Sequence, residues 1–357
     1  MRRSSPARPA LLVAALALAT SCGGTTAPRA TPSPTPVRTV TQSPTPTTTP
    51  SAAASPSPSV SRLRSPVTLV IGGDVDFDRT TRTAVARGGV DAPWLGIAPR
   101  LRAADIALLN LECALSERGV REQKSYTFRG DPDHVVGARR AGVDVFSLAN
   151  NHTLDFGVGA FADTIAAVRR VGIEPVGGGM TLADAQRAAV LTVRGVRVAV
   201  VGISAIIPAP KWRATATRPG FAYDDDAQIT AQVRAARARA DVVVAYFHWG
   251  VEYRTTPSSA QRRAARAAIR AGATLVAGTH PHVLQPIEVV DGRLVAWSLS
   301  NLVFQSTPRS VRTALLTVTL QPSGAVDWRT DPYLITEGIP RPDASRQTVR
   351  GTVPPVR

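Results

Sequence analysis

A layered α/β fold is predicted for this 357-residue chain by three observations. From Pro66 onward, short runs of Val, Ile, Leu and Ala alternate with helical patterns. Hairpin signatures interrupt that alternation, and polar stretches rich in Asp, Glu, Asn and His follow directly on the apolar runs. Nearly continuous apolar runs read as strands buried on both faces. Mixed with hairpins, such βα units give sheets packed on each other with helices outside. The expectation is one folded α/β/β/α sandwich over residues 65–338.

The elements follow in order. Residues 67–71, 106–109, 143–148, 198–203, 242–247 and 275–277 read as strands, and 161–171, 227–240 and 258–271 as helices. Ser258-Ser259 offers an N-cap to the last helix, and Gly272 ends it. Arg194-Gly195 joins strands at 189–193 and 196–201, while Asp291-Gly292, a type I′ turn signal, joins 286–290 to 294–299. Strands at 313–320 and 328–335 come next, and the Pro- and Arg-rich tail 339–357 is expected to be disordered.

Residues 1–22 have the layout of an export signal: Arg2, Arg3 and Arg8 precede an apolar stretch at 11–19, too short to span a bilayer as a helix. Small residues lead to Cys22, and Ala19-Thr20-Ser21-Cys22-Gly23 resembles a bacterial lipobox, in which the cysteine carries lipid. A plain secretory signal cleaved nearby is the competing reading. Residues 23–64, dominated by Pro, Thr, Ser and Ala, cannot bury enough surface to fold and read as an extended linker. The expected location is therefore the cell surface as an anchored lipoprotein, or the medium. Cys113 is left without a partner, and its default is a buried, inert thiol.

The formal charge is +16, but residues 1–64 hold seven arginines and no acid, and Lys124 and Lys211 are the sole lysines. Arginines spread along the fold read as a solvated basic surface, so no nucleic-acid partner is expected. Histidine is scarce, with five in the chain, and four of them fall in Asn150-Asn151-His152, His248-Trp249-Gly250 and His280-Pro281-His282, each after an apolar run. Asp74 and Asp76, and Glu112, stand in equivalent places. Side chains gathered at strand ends from distant parts of a chain mark a site, and mixed imidazole and carboxylate groups suit a divalent metal. His134 stands outside these groups and reads as a surface helix residue, and Trp94, Trp212 and Trp297 as packing.

The order of these motifs resembles that of calcineurin-like metallophosphatases, and in detail that of the CapA family of capsule and poly-γ-glutamate synthesis proteins. The matching residues are Gly73-Asp74, Asn110-Leu111-Glu112, Tyr126-x-Phe128-Arg129-Gly130, 149–157, Gly177-Gly178-Gly179, His248-Trp249-Gly250-x-Glu252, Gly278-x-His280-Pro281-His282 and Ser298-Leu299-x-Asn301. Two departures stand out. Asp76 replaces an apolar residue of the family and the histidine ligand of metallophosphatases, and Ser300 replaces a glycine.

The resemblance implies a metallophosphatase-like fold and roles for residues. Asp74 and Glu112 would bridge or share two ions of Mn, Fe or Zn, with Asn151, His248 and His280 completing one site and Asp76 and His282 the other. His152 would be a general acid oriented by Asp155. Glu252 would orient His248, Lys124 and Arg129 would bind substrate anions, Trp249 would line the cleft, and Asn301 would join the substrate-binding set. Three functions compete: a metal-dependent hydrolase or transferase handling poly-γ-glutamate or a related anionic polymer, served by a lipid anchor and a membrane-embedded synthesis complex; a phosphodiesterase or phosphomonoesterase; and a non-catalytic polymer-binding accessory protein.

Overall fold

The computed structural model describes residues 65–305 and 307–355. The leader 1–22 with Cys22 and the linker 23–64 lie outside the described residues. The strands that carry the architecture are β1 (Val67–Val75), β2 (Ile106–Leu111), β3 (Val145–Ser147), β4 (Glu174–Val176), β5 (Ala189–Val193), β6 (Val196–Ser204), β7 (Val242–His248) and β8 (Leu275–Thr279). They continue as β9 (Ile287–Val290), β10 (Arg293–Ala296), β11 (Asn301–Val303), β12 (Arg312–Leu320), β13 (Val326–Thr336), β14 (Ile339–Pro342) and β15 (Val349–Val353). The longer helices are α1 (Arg79–Gly88), α2 (Val135–Ala141), α3 (Gly157–Arg170), α4 (Asp226–Arg237) and α5 (Ser259–Ala271).

A nine-stranded sheet has the order β14-β13-β12-β1-β2-β3-β4, with β11 also paired to β1 and β15 to β13. A six-stranded sheet runs β9-β10-β8-β7-β6-β5. The period of two along each strand builds three apolar layers from these sheets. Leu69 and Ile71 of β1 meet Val198 and Val200 of β6 and Val244 and Tyr246 of β7 between the sheets. Val70 and Leu109 face outward under Phe161 of α3 and Ala138 of α2. Ala199, Val201 and Val243 face the opposite way, under Ile229 of α4 and Ala264 of α5. The expected α/β/β/α sandwich is the observed one. Among the described residues no helix is long and apolar enough to cross a membrane.

Local chemistry sets the boundaries. Ser258 caps α5 in a reciprocal capping box with Gln261, and Gly272 ends the helix at φ 114°. Arg194 and Gly195 have φ of 47° and 80°, and Asp291 and Gly292 of 47° and 73°, the paired positive angles of a type I′ turn. The tail requires correction. Residues from Ile339 were expected to be disordered, yet β14 and β15 both pair with β13 in antiparallel register. Val353 is buried in the inter-sheet core, and Gly351 lies close against the Trp328 ring, so short β-capable segments between prolines suffice where a neighbouring edge is open.

Candidate metal centre

Parallel strands put their C-terminal ends at one edge of a sheet. Asp74 near the end of β1, Glu112 just after β2, His248 at the end of β7 and His280 just after β8 therefore come together. Two features of β1 enforce the approach. Its pairing with β2 shifts register between Ile71 and Asp74, and a Cβ on Gly73 would stand 1.8 Å from the Ser300 carbonyl oxygen. Only glycine lets the turn before β11 pass that close. Ser300 itself holds φ 64°, so the tight turn survives the replacement of the family glycine. Asp74 N–H donates to the Ser300 carbonyl at 3.1 Å. His280 and His282 also take positive φ, 96° and 57°, strained values that aim both imidazoles back at the acids.

Around Nε2 of His248 lie Asn151 Oδ1 at 2.6 Å, His280 Nδ1 at 3.1 Å and Glu112 Oε1 at 3.2 Å. All three neighbours carry lone pairs, and one imidazole proton can satisfy one of them. Asp74 Oδ1 accepts from Asn110 Nδ2 at 2.7 Å, and the same amide lies 3.3 Å from His248 Nδ1. His282 Nδ1 lies 3.6 Å from Asp74 Oδ2 and 2.6 Å from Asn301 Oδ1. Asp74, Glu112 and His248 form one group whose donor atoms all lie within 4.8 Å of one another, and Glu112, His280 and His282 form a second. Glu112 belongs to both.

The electrostatics agree with the geometry. Burial drives the Glu112 carboxyl well up, reinforced by Asp74 beside it, and raises Asp74 against the pull of His282. Burial also drives His248 and His280 well down. Both carboxylate oxygens of Glu112 are buried without a hydrogen-bond partner. A buried carboxylate is costly unless something positive meets it, so these residues could hold a divalent cation and fit one.

A second cluster adjoins the first. His152 Nδ1 bonds Asp155 Oδ2 at 2.7 Å, which leaves Nε2 as the free nitrogen. Lys124 Nζ reaches Asp155 Oδ1 at 2.6 Å and lies 3.2 Å from His152 Nδ1. It also donates to the Asn151 carbonyl. Phe128 N–H donates to Asp155 Oδ2 at 2.7 Å, and the Phe128 ring packs on His152 with centroids 4.2 Å apart. Burial takes His152 down to about 4 against the pull of Asp155, so the ring is neutral at pH 7.

Of the residues singled out in the sequence, Asp74, Glu112, Asn151, His152, Asp155, His248, His280, His282, Lys124 and Asn301 converge. Four do not. Asp76 is buried with Oδ2 unpartnered but belongs to neither donor group; Oδ1 accepts from Asp78 N–H at 3.3 Å. Arg129 stacks its guanidinium 3.5 Å from the Phe156 ring centroid and donates to the carbonyls of Arg118 and Gly119, which ties down a loop instead of facing the site. Trp249 is 1% exposed, stacked on Phe247 beneath the outer helices, where its Nε1 donates to the Trp297 carbonyl at 2.8 Å; a Cβ on Gly278 would meet that nitrogen at 2.2 Å. Strand alternation turns Trp249 away from the face that His248 takes. Glu252 is exposed, and no bond joins it to His248. The expectation placed Asn110 and Asn150 within motifs but gave neither a role. Asn150 Nδ2 donates to Asn110 Oδ1 at 3.1 Å and to the Leu111 carbonyl at 2.8 Å. Asn110 stands two residues before Glu112 on an otherwise apolar strand, and that spacing was the signal for it.

Comparison with known proteins bears on this geometry. The chain is 31% identical over 274 residues to "PGA biosynthesis protein CapA" of Bacillus subtilis (strain 168), covering 76% of this chain and 72% of that protein. It is 31% identical over 293 residues to "Capsule biosynthesis protein CapA" of Bacillus anthracis, covering 80% and 71%. Among solved structures, a calcineurin-like phosphoesterase, YfkN from Bacillus subtilis, is similar at TM-score 0.43 and 13% identity, over 81% of this chain and 91% of that one. Residues 68–306, which hold every converging side chain, match the family described as "Bacterial capsule synthesis protein PGA_cap", and the chain belongs to it.

Proposed function

We propose that the protein is a metal-dependent hydrolase or transferase of the cell envelope that acts on a γ-linked glutamate polymer or a related anionic capsule chain. The observation that carries this reading is Glu112, whose two oxygens are buried and unpartnered and which shares one donor group with Asp74 and His248 and another with His280 and His282. Asp74, Glu112, Asn151 and His248 would hold one ion and Glu112, His280 and His282 a second, drawn from Mn, Fe or Zn. A bound divalent cation would supply Lewis acidity to the bond being broken. The relatives' names support the choice of polymer.

The chain's own residues account for proton movement. Asp155 fixes the His152 tautomer with the proton on Nδ1, so the neutral Nε2 would take a proton from the attacking water or hydroxyl and deliver it to the leaving group as the substrate bond breaks. Lys124 holds Asp155 from its other oxygen and pins the Asn151 carbonyl, setting the entry to the site. Asn110 positions Asp74 and His248 together. The proposal includes export, with lipid on Cys22 and the linker 23–64 extending the domain from the membrane toward a membrane-embedded synthesis complex.

The test is metal analysis of the purified protein followed by incubation with γ-linked glutamate polymer and with an aryl phosphodiester. The expected outcome is shortened polymer, lost in His152→Ala and on chelation. Metal-loaded protein that leaves the polymer intact would overturn the reading, and turnover of the phosphodiester alone would replace the substrate. For export, Cys22→Ser should move the protein from membrane to medium; unchanged membrane retention would remove the anchor.

A further inference from the structure

A run of packed aromatic rings joins the outer histidines of the centre, its inner members Phe128 and Phe304 buried and its outer members Tyr126 and Tyr253 exposed. The Phe128 ring packs on His152, Phe304 packs on Phe128 with centroids 5.3 Å apart, and His282 packs on Phe304 at 5.6 Å. At one end the Arg79 guanidinium lies 5.7 Å over the Phe128 ring and 5.9 Å over that of Tyr126. At the other, Tyr253 lies 6.3 Å from His282, and the Arg309 guanidinium stands 6.0 Å over Tyr253. Tyr126 and Tyr253 are 59% and 40% exposed, unusual for aromatic rings this near a buried polar centre.

Neither arginine has a carboxylate within ion-pair distance among the described residues, whereas neighbouring cations do. Arg82 pairs with Asp78, Lys124 with Asp155 and Lys211 with Glu122. Glu252 is the acid beside Tyr253, and it pairs with neither arginine. Arg79 also begins α1 at φ 46°, a strained value for a non-glycine residue, and it lies three residues after Asp76. A guanidinium presents a planar fork that matches a carboxylate with two parallel bonds, and stacking on a ring fixes the plane of that fork.

We propose that Arg79 and Arg309 are the specificity-determining residues of this site: each binds one carboxylate of an anionic chain that approaches the centre across the exposed rings of Tyr126 and Tyr253. The proposal rests on the reading of the centre as one that acts on an anionic polymer. It assigns to two residues outside every recognised motif the selection of charged over neutral chains. Arg129, the sequence's candidate for that work, is occupied by loop carbonyls.

The test uses the full chain and three probes: a γ-linked glutamate oligomer, its γ-linked glutamine counterpart, and inorganic polyphosphate. Dissociation constants are measured at several salt concentrations for wild type, Arg79→Gln, Arg309→Gln and Arg79→Lys. Each glutamine variant is expected to bind the glutamate oligomer about tenfold more weakly and with a shallower salt dependence. Neither should change binding of the glutamine oligomer. Arg79→Lys should recover part of the affinity, because a point charge replaces the fork. Melting temperatures and metal content serve as controls, since exposed stacked arginines contribute little to the fold. Wild-type affinity for the glutamate oligomer in both glutamine variants would overturn the proposal, as would polyphosphate binding that responds to them while glutamate binding does not. Loss of binding in both variants with no cleavage of polymer by wild type removes catalysis and keeps these two residues; cleavage with a normal KM in both variants does the reverse.

Discussion

Replacing Glu112 by glutamine gives opposite signs in the metal-free and metal-loaded protein. Both Glu112 oxygens are buried and unpartnered, beside Asp74 and 3.2 Å from a His248 nitrogen that burial keeps neutral. Leaving a buried polar group unsatisfied costs about 1–3 kcal/mol, and more for a charged one. An amide of the same shape removes the charge and can donate to the lone pairs around it, so metal-free Glu112→Gln should be more stable by about 1–3 kcal/mol. In a domain of this size that is roughly 2–4 °C per kcal/mol. A cation should reverse the order. A ligand at one hundred times its dissociation constant stabilises the folded state by about 2.7 kcal/mol, and Glu112, shared by both donor groups, is the acid whose loss weakens both. Thermal melts of the two proteins in chelator and in Mn²⁺ or Zn²⁺ should cross: the variant higher without metal, the wild type higher with it. A variant that melts lower in chelator and keeps a full metal-induced rise would refute this account of Glu112.

Ser300 pays the left-handed penalty, about 1–2 kcal/mol, and buries a hydroxyl with no partner; Ser300→Gly should raise the melting midpoint, offset in part by a more flexible unfolded chain, and a lower midpoint would show the serine to be favourable. Lys124→Met should cost about 3 kcal/mol in a chemical denaturation curve, because it leaves Asp155 buried beside a neutral His152; an unchanged curve would mean that the pair contributes nothing. Asp105 is held below the usual carboxylate range by its hydrogen bond from Arg194, which links the β5–β6 hairpin to β1 through Thr68 N–H. A depressed folded value stabilises above the unfolded value and is lost as pH falls through the folded one. Asp105→Asn should therefore cost about 1 kcal/mol near pH 7 after solvent screening, and urea midpoints of the two proteins should converge below pH 4; a gap that widens on acidification would refute the assignment.

The strands were legible because both faces of the central ones are buried, so their apolar runs are nearly unbroken and each ends where a polar side chain enters the site. Residues at run ends, such as Asp74, His248 and His280, were therefore found from position alone. Sidedness was less legible. Trp249 follows His248, and a tract read as one motif hides that alternate residues face opposite layers. Glu252 illustrates the same limit after the strand has ended, where no period applies. Arg129 failed for another reason: its neighbours Arg118, Gly119 and Phe156 are close only after folding. Arg79 and Arg309 lie 230 positions apart by number and share no pattern with the histidines, so the sequence gives no reason to group them. The tail is the converse case. Its proline and arginine content argues for disorder in isolation, but β13 presents an antiparallel edge that pairs the tail at 326–330 and 333–336, and an available partner outweighs weak intrinsic preference. What the sequence lacks in each instance is the neighbour across the fold, so side chains that act through contacts far along the chain become visible once the two sheets are stacked.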